Sequence, residues 1–346
     1  MFLYWTLFAA PLFSALQRTR VDRYTRRFMI GVAFLAITIA VGLRHEVGCD
    51  WPNYIARLYN IGLSPLAFAM DMTDPAYGLL NWVVYRLGWD IYAVNTVCAA
   101  LFAWGLLAFC FRQPRPWLTF SLAIPYLVIV VAMGYTRQAT AIGLLMLAFN
   151  AFADRKLVRF FIFVALATCF HRSAIALAPL GIFIQRREAI SPLLIGVSAT
   201  IFMALFITAD AADQYVYGYI EQEYEGTGGL YRLPLNALAA LIFLRFRKQW
   251  AEDYGDARLY MLLAVVSLAI VPLFFLWSVA SDRMGLYLLP FQVAALSRLP
   301  HLLRGTAWAQ PAMLGVVGLY TSLMFVWLNF GNHSWCWVPY ESWLFR

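Results

Sequence analysis

Charged side chains are scarce in this chain of 346 residues, at 13% of the sequence against 63% hydrophobic residues. A soluble domain of this length would carry about twice that fraction of charged residues. Because so few polar groups cannot cover a surface that faces water, most of the exterior must face lipid. The shortage of charge therefore excludes a soluble globular protein.

The apolar residues form continuous runs and lack the alternating pattern of a membrane β-strand, which predicts membrane helices. Residues 2–16 have neither the basic start nor the cleavage site of a signal peptide, so we expect a retained first helix. The stretch 138–185 fits either two full crossings with a bent middle or broken helices that line a cavity. In total the sequence predicts about twelve transmembrane helices, some short or broken, at 2–16, 28–43, 91–111, 117–133, 138–153, 157–173, 174–185, 191–208, 234–246, 258–277, 284–298 and 308–330.

Several familiar signals are missing as well. No two cysteines have a CxxC spacing, and neither a DxD nor an HExxH element occurs, so we predict no metal and no other cofactor. No repeat of 20–50 residues and no separate soluble segment is visible. We therefore expect residues 1–346 to form a single polytopic membrane domain.

The distribution of basic residues predicts the orientation of this domain. One set of loops holds 18 of the 26 basic residues and six of the 18 acidic ones, which marks it as cytoplasmic and places both termini in the periplasm. The net charge of +8 thus reports topology and does not indicate nucleic-acid binding. The long periplasmic connections are 44–90, with an amphipathic helix expected over 74–89, and the acidic loop 209–233. Cys49 and Cys336 share this side, which leaves a disulfide between them open.

Eight arginines and no lysine lie on the predicted outer face. Four of them, Arg44, Arg137, Arg172 and Arg283, stand at the outer ends of helices. A cation at membrane depth costs several kcal/mol unless it has a partner or faces a wet cavity. One such arginine could be an interfacial anchor, but four from distant segments favour a convergent cluster. Because the guanidinium fork binds phosphate in a bidentate manner, the cluster indicates a phosphorylated, lipid-borne ligand.

Other polar residues are predicted at the same level, namely Asp50, Gln138, His171, Ser173 and Asp282. Taken alone, His171 would be a structural histidine, and Asp282 would form a salt bridge with Arg283 or Arg137. Together with the arginines they suit glycosyl transfer. Arginines can neutralise a departing pyrophosphate, and a carboxylate or imidazole can take the proton of the attacking sugar hydroxyl.

Six short stretches then occur in one order along the chain: GLRHEVGCDWPNY, DPAYGLLNWVVYRLG, GYTRQATAIG, FHRSAIALAPL, SDRMGLYLLP and WCWVPY. On these stretches the chain resembles the EpsG family of Wzy-type polysaccharide polymerases, over about residues 40–340. The resemblance implies an all-α, GT-C-like integral-membrane glycosyltransferase of the bacterial inner membrane, with its active site facing the periplasm. It also implies undecaprenyl-pyrophosphate-linked oligosaccharides as donor and acceptor, and a chain-length regulator as a further partner.

Carried onto this sequence, the family motifs select candidate site residues. Asp50, His171 and Asp282 are the catalytic candidates, and we favour Asp50 as the base because Trp51 and Pro52 hold it near the expected acceptor sugar. The candidates for binding pyrophosphate and substrate are Arg44, Tyr54, Arg137, Gln138, Arg172, Ser173 and Arg283.

Other functions fit part of this pattern. A lipid-linked oligosaccharide flippase or another transporter would also need arginines, but we would expect polar residues within its spans and an internal repeat. An O-antigen ligase would be expected to have a larger periplasmic loop than 209–233. An acyltransferase and a purely structural membrane subunit are further alternatives.

Overall fold

The computed structural model describes residues 1–17, 22–184, 197, 201, 204 and 229–346. The predicted span 191–208 lies almost wholly outside these residues, as does the predicted loop 209–233 up to residue 228. The described chain is almost entirely helical, which agrees with the predicted all-α class.

The first half of the chain forms α1 (Phe2–Leu16), α2 (Arg23–Gly42), α3 (Trp51–Leu63), α4 (Leu66–Asp71), α5 (Pro75–Arg86), α6 (Ile91–Cys110), α7 (Pro116–Ala123), a π-helix (Ile124–Ala132), α8 (Thr136–Ala153) and α9 (Leu157–Phe170). The second half forms a 3₁₀ helix (Arg172–Phe183), α10 (Gly229–Arg245), α11 (Arg247–Asp253), α12 (Ala257–Leu273), α13 (Ser278–Tyr287), α14 (Leu289–Leu302) and α15 (Ala309–Phe330). Two short strands, β1 (Arg44–His45) and β2 (Glu341–Ser342), pair in antiparallel fashion.

Within the described residues, three helices are long and apolar enough to cross a membrane by length and composition: α2, α6 and α15. Two predicted spans differ from the structure. The segment predicted at 174–185 is part of the 3₁₀ helix, with Pro179 inside it, where proline removes a backbone donor. The segment predicted at 284–298 is divided at Leu288, between α13 and α14. The number of crossings remains a prediction.

The described chain divides into two compact units. Unit 1 comprises Met1–Leu144, Cys169–His171 and Leu314–Arg346, and unit 2 comprises Leu145–Thr168 and Arg172–Met313. Each unit is described by itself below.

Helices in unit 1 approach closely where glycine replaces a side chain. A Cβ on Gly42 of α2 would lie 2.6 Å from the Thr96 Cα of α6, and one on Gly105 would lie 1.8 Å from the Gly143 carbonyl oxygen of α8. Small residues of this kind let membrane helices pack backbone to backbone. The helix predicted over 74–89 is present as α5.

The C-terminal tail fastens several elements of unit 1 together. A disulfide joins Cys336 to Cys49, so the pairing that the sequence left open is formed. The Trp337 indole donates to the Ile129 carbonyl oxygen at 2.8 Å, and the Tyr4 hydroxyl donates to the Trp337 carbonyl oxygen at 2.6 Å. The tail therefore holds α1, the π-helix and the segment after α2 in fixed positions.

In unit 2, α10 packs against α12, α13 and α14. Its aromatic core includes the rings of Phe243, Trp250, Tyr260 and Phe291, with centroid separations of 5.1 to 6.4 Å. Arg298 of α14 lies buried against this core, although the charge pattern assigns it to a cytoplasmic loop.

Candidate active site

Arg137 lies in the first turn of α8 and forms an ion pair with Asp74. Its Nη1 donates to Asp74 Oδ2 at 2.7 Å and to Thr73 Oγ1 at 3.4 Å. Asp74 occupies the N-cap position of α5, but its carboxylate makes no capping bond there. The Asp74 side chain is fully buried, whereas that of Arg137 is 17% exposed. The pair therefore buries its negative partner and leaves its positive partner accessible.

Asp74 is the functional residue that sequence reasoning missed. It stands in DPAYG, one of the stretches that carries the resemblance, yet 62 residues of intervening chain separate it from Arg137. A carboxylate beside a proline is an ordinary start for a helix, so its position gave no reason to pair it with a distant arginine. Only the contact in the folded chain reveals that role.

Tyr54 and Arg44 both bind Thr136, the residue before Arg137. The Tyr54 hydroxyl accepts the Thr136 N–H at 3.0 Å and donates to the Gly134 carbonyl oxygen at 3.4 Å. Burial raises the pKa of Tyr54 to about 12, with the charge of Asp50 adding to the rise. The phenol is therefore protonated at neutral pH and acts as a hydrogen-bonding group that fixes the start of α8.

Arg44 is fully buried, and each of its guanidinium nitrogens donates to a protein oxygen. Nη2 donates to Thr136 Oγ1 at 2.7 Å, Nη1 to the Val41 carbonyl oxygen at 2.6 Å, and Nε to the Val47 carbonyl oxygen at 3.3 Å. The sequence led us to expect Arg44 on the ligand surface. The structure instead places it beneath Arg137, where it orders the end of α2 and the start of α8.

Arg57 is a second arginine of this region that sequence reasoning set aside. It lies in α3, three residues after Tyr54, at a spacing that puts both side chains on one helix face. Burial raises the pKa of Tyr54 and of Tyr77, and the positive charges of Arg57 and Arg137 oppose that rise at both hydroxyls. Arg57 therefore adds positive charge to the same pair of tyrosines as Arg137.

The remaining predicted residues of unit 1 lie on neighbouring segments. Asp50 is half-buried at the N-cap position of α3 and makes no capping bond with its carboxylate. Gln138 is buried in the first turn of α8. His171 is buried directly after α9, and the adjacent Phe170 packs against the hydrophobic cluster that contains Tyr54.

In unit 2, Asp282 pairs with an unexpected arginine. Its Oδ2 accepts from Arg232 Nη2 at 2.8 Å, so the ion pair is with Arg232 of α10 and not with Arg283 or Arg137 as we expected. Burial raises the pKa of Asp282 to about 6, and the charges of Arg232 and Arg283 oppose that rise. Sequence spacing could not identify this pair because Arg232 lies 50 residues away.

The other predicted residues of unit 2 are Ser173, Arg172 and Arg283. The Ser173 and Tyr287 hydroxyls lie 2.8 Å apart, and both side chains are buried. Arg172 begins the 3₁₀ helix and is half-buried, as is Arg283 in α13. Among the residues that the structure describes, no group of three or more histidine, cysteine or acidic side chains could hold a metal ion.

Comparison with curated proteins and with solved structures finds no match to this chain. The model of one family, described as the EpsG family, matches residues 27–342. That range includes the Arg137–Asp74 pair, the Arg232–Asp282 pair and the disulfide between Cys49 and the tail. The chain therefore belongs to the EpsG family, a family of Wzy-type polysaccharide polymerases.

Proposed function

We propose that this protein is a bacterial inner-membrane polysaccharide polymerase. In this proposal it is an integral-membrane glycosyltransferase that joins undecaprenyl-pyrophosphate-linked oligosaccharide repeat units on the periplasmic face. Membership of the EpsG family supports polymerase activity. The exposed guanidinium of Arg137 over a fully buried carboxylate is the observation that supports a pyrophosphate-linked substrate.

The surroundings of Arg137 suit an anionic leaving group. The residue stands in the first turn of an 18-residue helix, where the helix dipole favours negative charge. Asp74 holds one guanidinium nitrogen, which orients the planar fork, and Arg57 contributes a further positive charge to the region. A pyrophosphate bound here would gain negative charge as the glycosidic bond breaks, and Arg137 would stabilise that charge most strongly in the transition state.

The reaction needs one proton acceptor. The acceptor sugar hydroxyl attacks the anomeric carbon of the donor, the bond from that carbon to the pyrophosphate oxygen breaks, and the hydroxyl proton passes to the base. Asp50 is our candidate because it is half-buried and is not used as a helix cap. His171 is only 8% exposed, and Asp282 is paired with Arg232. Both are therefore less suited to meet an incoming hydroxyl.

The disulfide supports a periplasmic site. Structural disulfides persist in oxidising compartments such as the bacterial periplasm. Cys49 directly precedes Asp50, and its partner Cys336 lies in the C-terminal tail. The bond therefore agrees with the orientation that the basic loops predict, by an argument that does not use charge.

The decisive experiment replaces Arg137 by lysine. Lysine keeps the charge but loses the bidentate fork, so we expect severe loss of polymer from purified lipid-linked repeat units, with protein levels unchanged. The matched control is Arg86→Lys, an exposed arginine whose guanidinium lies 5.1 Å from the Trp82 ring centroid. Equal polymerisation by the two variants would refute the phosphate-binding role of Arg137. Arg57→Lys, which the sequence alone suggested as the control, is unsuitable because Arg57 lies in the same charged region.

A further inference from the structure

Four aromatic rings meet beside the β1–β2 strand pair of unit 1. They belong to His45, Trp51, Tyr92 and Trp343, and we call them the Tyr92 aromatic surface. Tyr92 lies at its centre, with ring centroids 6.1 Å from His45, 5.9 Å from Trp51 and 5.9 Å from Trp343. A hydrogen bond between His45 Nδ1 and the Tyr92 hydroxyl ties two of the rings together. Four separate segments of the chain thus contribute one ring each.

Burial across this surface runs from closed to open. Trp51 is 5% exposed, whereas Trp343 is 52% exposed, so the rings form a wall with one accessible end. Trp51 Nε1 is buried and has no hydrogen-bond partner within the described part of the chain. Because buried indole donors are normally satisfied, this group is available to a bound oxygen atom.

The charges around the rings are mainly negative. Glu46 Oε1 lies 3.3 Å from His45 Nε2, and the Glu46 side chain is 64% exposed. Glu46, Asp90 and Arg346 all act electrostatically on the Tyr92 hydroxyl, and Arg346 is itself paired with Glu341 at 3.0 Å. Three carboxylates against one guanidinium would repel a phosphate. Carboxylates accept hydrogen bonds from hydroxyl groups, so the rim suits a neutral, hydroxyl-rich ligand.

We propose that the Tyr92 aromatic surface binds a sugar ring of the acceptor oligosaccharide. This inference rests on the proposed function and assigns a second part of the same substrate. A pyranose presents an apolar face of C–H groups that can lie on the indole of Trp343, while its hydroxyls reach the surrounding carboxylates.

Helix α3 connects this surface to the Arg137 region. Trp51 belongs to the aromatic surface, and Tyr54, three residues later, binds the start of α8 beside Arg137. One turn of helix therefore separates a negative aromatic surface that suits sugar from a positive region that suits pyrophosphate. Asp50, the candidate base, directly precedes Trp51 on the same segment.

Exposed tryptophans also anchor membrane proteins at the lipid–water interface, so the test must separate sugar binding from anchoring. The probe is the free repeat-unit oligosaccharide, released by mild acid from the lipid-linked material of the source strain and therefore without lipid or phosphate. The full chain in lipid nanodiscs is titrated with this probe, and binding is measured by calorimetry. Wild-type protein should bind it saturably.

Trp343→Ala should weaken the affinity about tenfold or more, because it removes the exposed stacking ring. Trp335→Ala is the matched control, since Trp335 lies in the same tail and is 72% exposed. It should change the affinity by less than about twofold, the usual range for surface substitutions. Unchanged melting temperatures in both variants would show that folding is intact.

Two results would overturn the inference: absence of saturable binding by the wild-type protein, or equal weakening in the two variants, which would assign Trp343 to membrane anchoring. A third result separates the two proposals. Saturable binding that Trp343→Ala weakens, in a protein that polymerises no lipid-linked repeat units, would keep the sugar site and refute the proposed polymerase function.

Discussion

Two buried arginine–aspartate pairs, Arg298–Asp256 in unit 2 and Arg137–Asp74 in unit 1, have the same chemistry and opposite accessibility. Arg298 Nη1 and Nη2 bind both carboxylate oxygens of Asp256, at 2.9 and 2.5 Å, and the Arg298 side chain is 3% exposed. In the other pair the carboxylate is fully buried and the guanidinium is the exposed partner. Where an ion pair is closed it can only support the fold, and where its cation is open it can bind an anion.

The walls of the Arg298 pair explain why it is closed. The guanidinium carbon lies 4.6, 4.0 and 5.0 Å from the ring centroids of Trp250, Tyr254 and Tyr260. The Trp250 indole also donates to Asp256 Oδ1 at 2.9 Å. Aromatic faces and a bidentate carboxylate satisfy the charge internally. Arg137 lies instead among Thr73, Asp74 and the start of α8, with part of its side chain uncovered.

The largest effect that tests this comparison should follow loss of one closed partner. Arg298→Ala leaves the Asp256 carboxylate in the core without its cation, which typically costs about 3–5 kcal/mol of stability. We expect strongly reduced protein in the membrane and a lower denaturation midpoint in detergent. Wild-type yield and midpoint in this variant would show that the Arg298 pair contributes nothing to the fold.

Neutralising both partners together should separate folding from activity. Arg137→Met combined with Asp74→Asn removes both charges, which spares the fold the penalty of an unpaired charge, but should lower polymerisation by roughly 10²–10³-fold, the usual scale for a lost transition-state contact. Arg298→Met with Asp256→Asn is the matched control and should retain polymerisation within a few-fold. Polymer yield per amount of protein is the measurement. Comparable losses in the two double variants would remove the distinction between open and closed pairs.

An open cation needs a base nearby if the region is catalytic. Asp50→Asn should reduce turnover of purified lipid-linked repeat units by roughly 10²-fold, the lower end for loss of a general base, while binding of the donor is retained. His171→Gln serves as the comparison. Normal turnover in Asp50→Asn together with loss in His171→Gln would transfer the role of base to the histidine.

The mildest test leaves every side chain in place and locates the two pairs relative to the membrane. Reporter fusions after Asp50 and after Arg346 should be periplasmic, and fusions after Arg27 and after Arg304 should be cytoplasmic. The physical reason is the excess of arginine and lysine in cytoplasmic loops. A cytoplasmic signal after Arg346 would reverse the orientation and place Arg137 on the wrong side for periplasmic polymerisation.

Several residues could be assigned from sequence because local composition governs them. The long apolar runs that became α2, α6 and α15 need no tertiary information, since a helix satisfies its own backbone in lipid. Arg137 was identified as a site candidate because a cation at the end of an apolar run is costly without a function. The motif stretches located the segments that carry Asp50 and Tyr54, and the family match confirms their assignment to EpsG.

The partners of those residues were decided by the tertiary structure. Asp74 meets Arg137 across 63 positions of sequence, and Arg232 meets Asp282 across 50. Arg44 and Arg298 look like surface cations in the sequence, yet the fold buries both and uses them as supports. Hydrophobicity and charge patterns report what a segment needs from its solvent. Which buried charge neutralises which, and which guanidinium stays open to a ligand, depends on contacts that exist only after distant segments have packed.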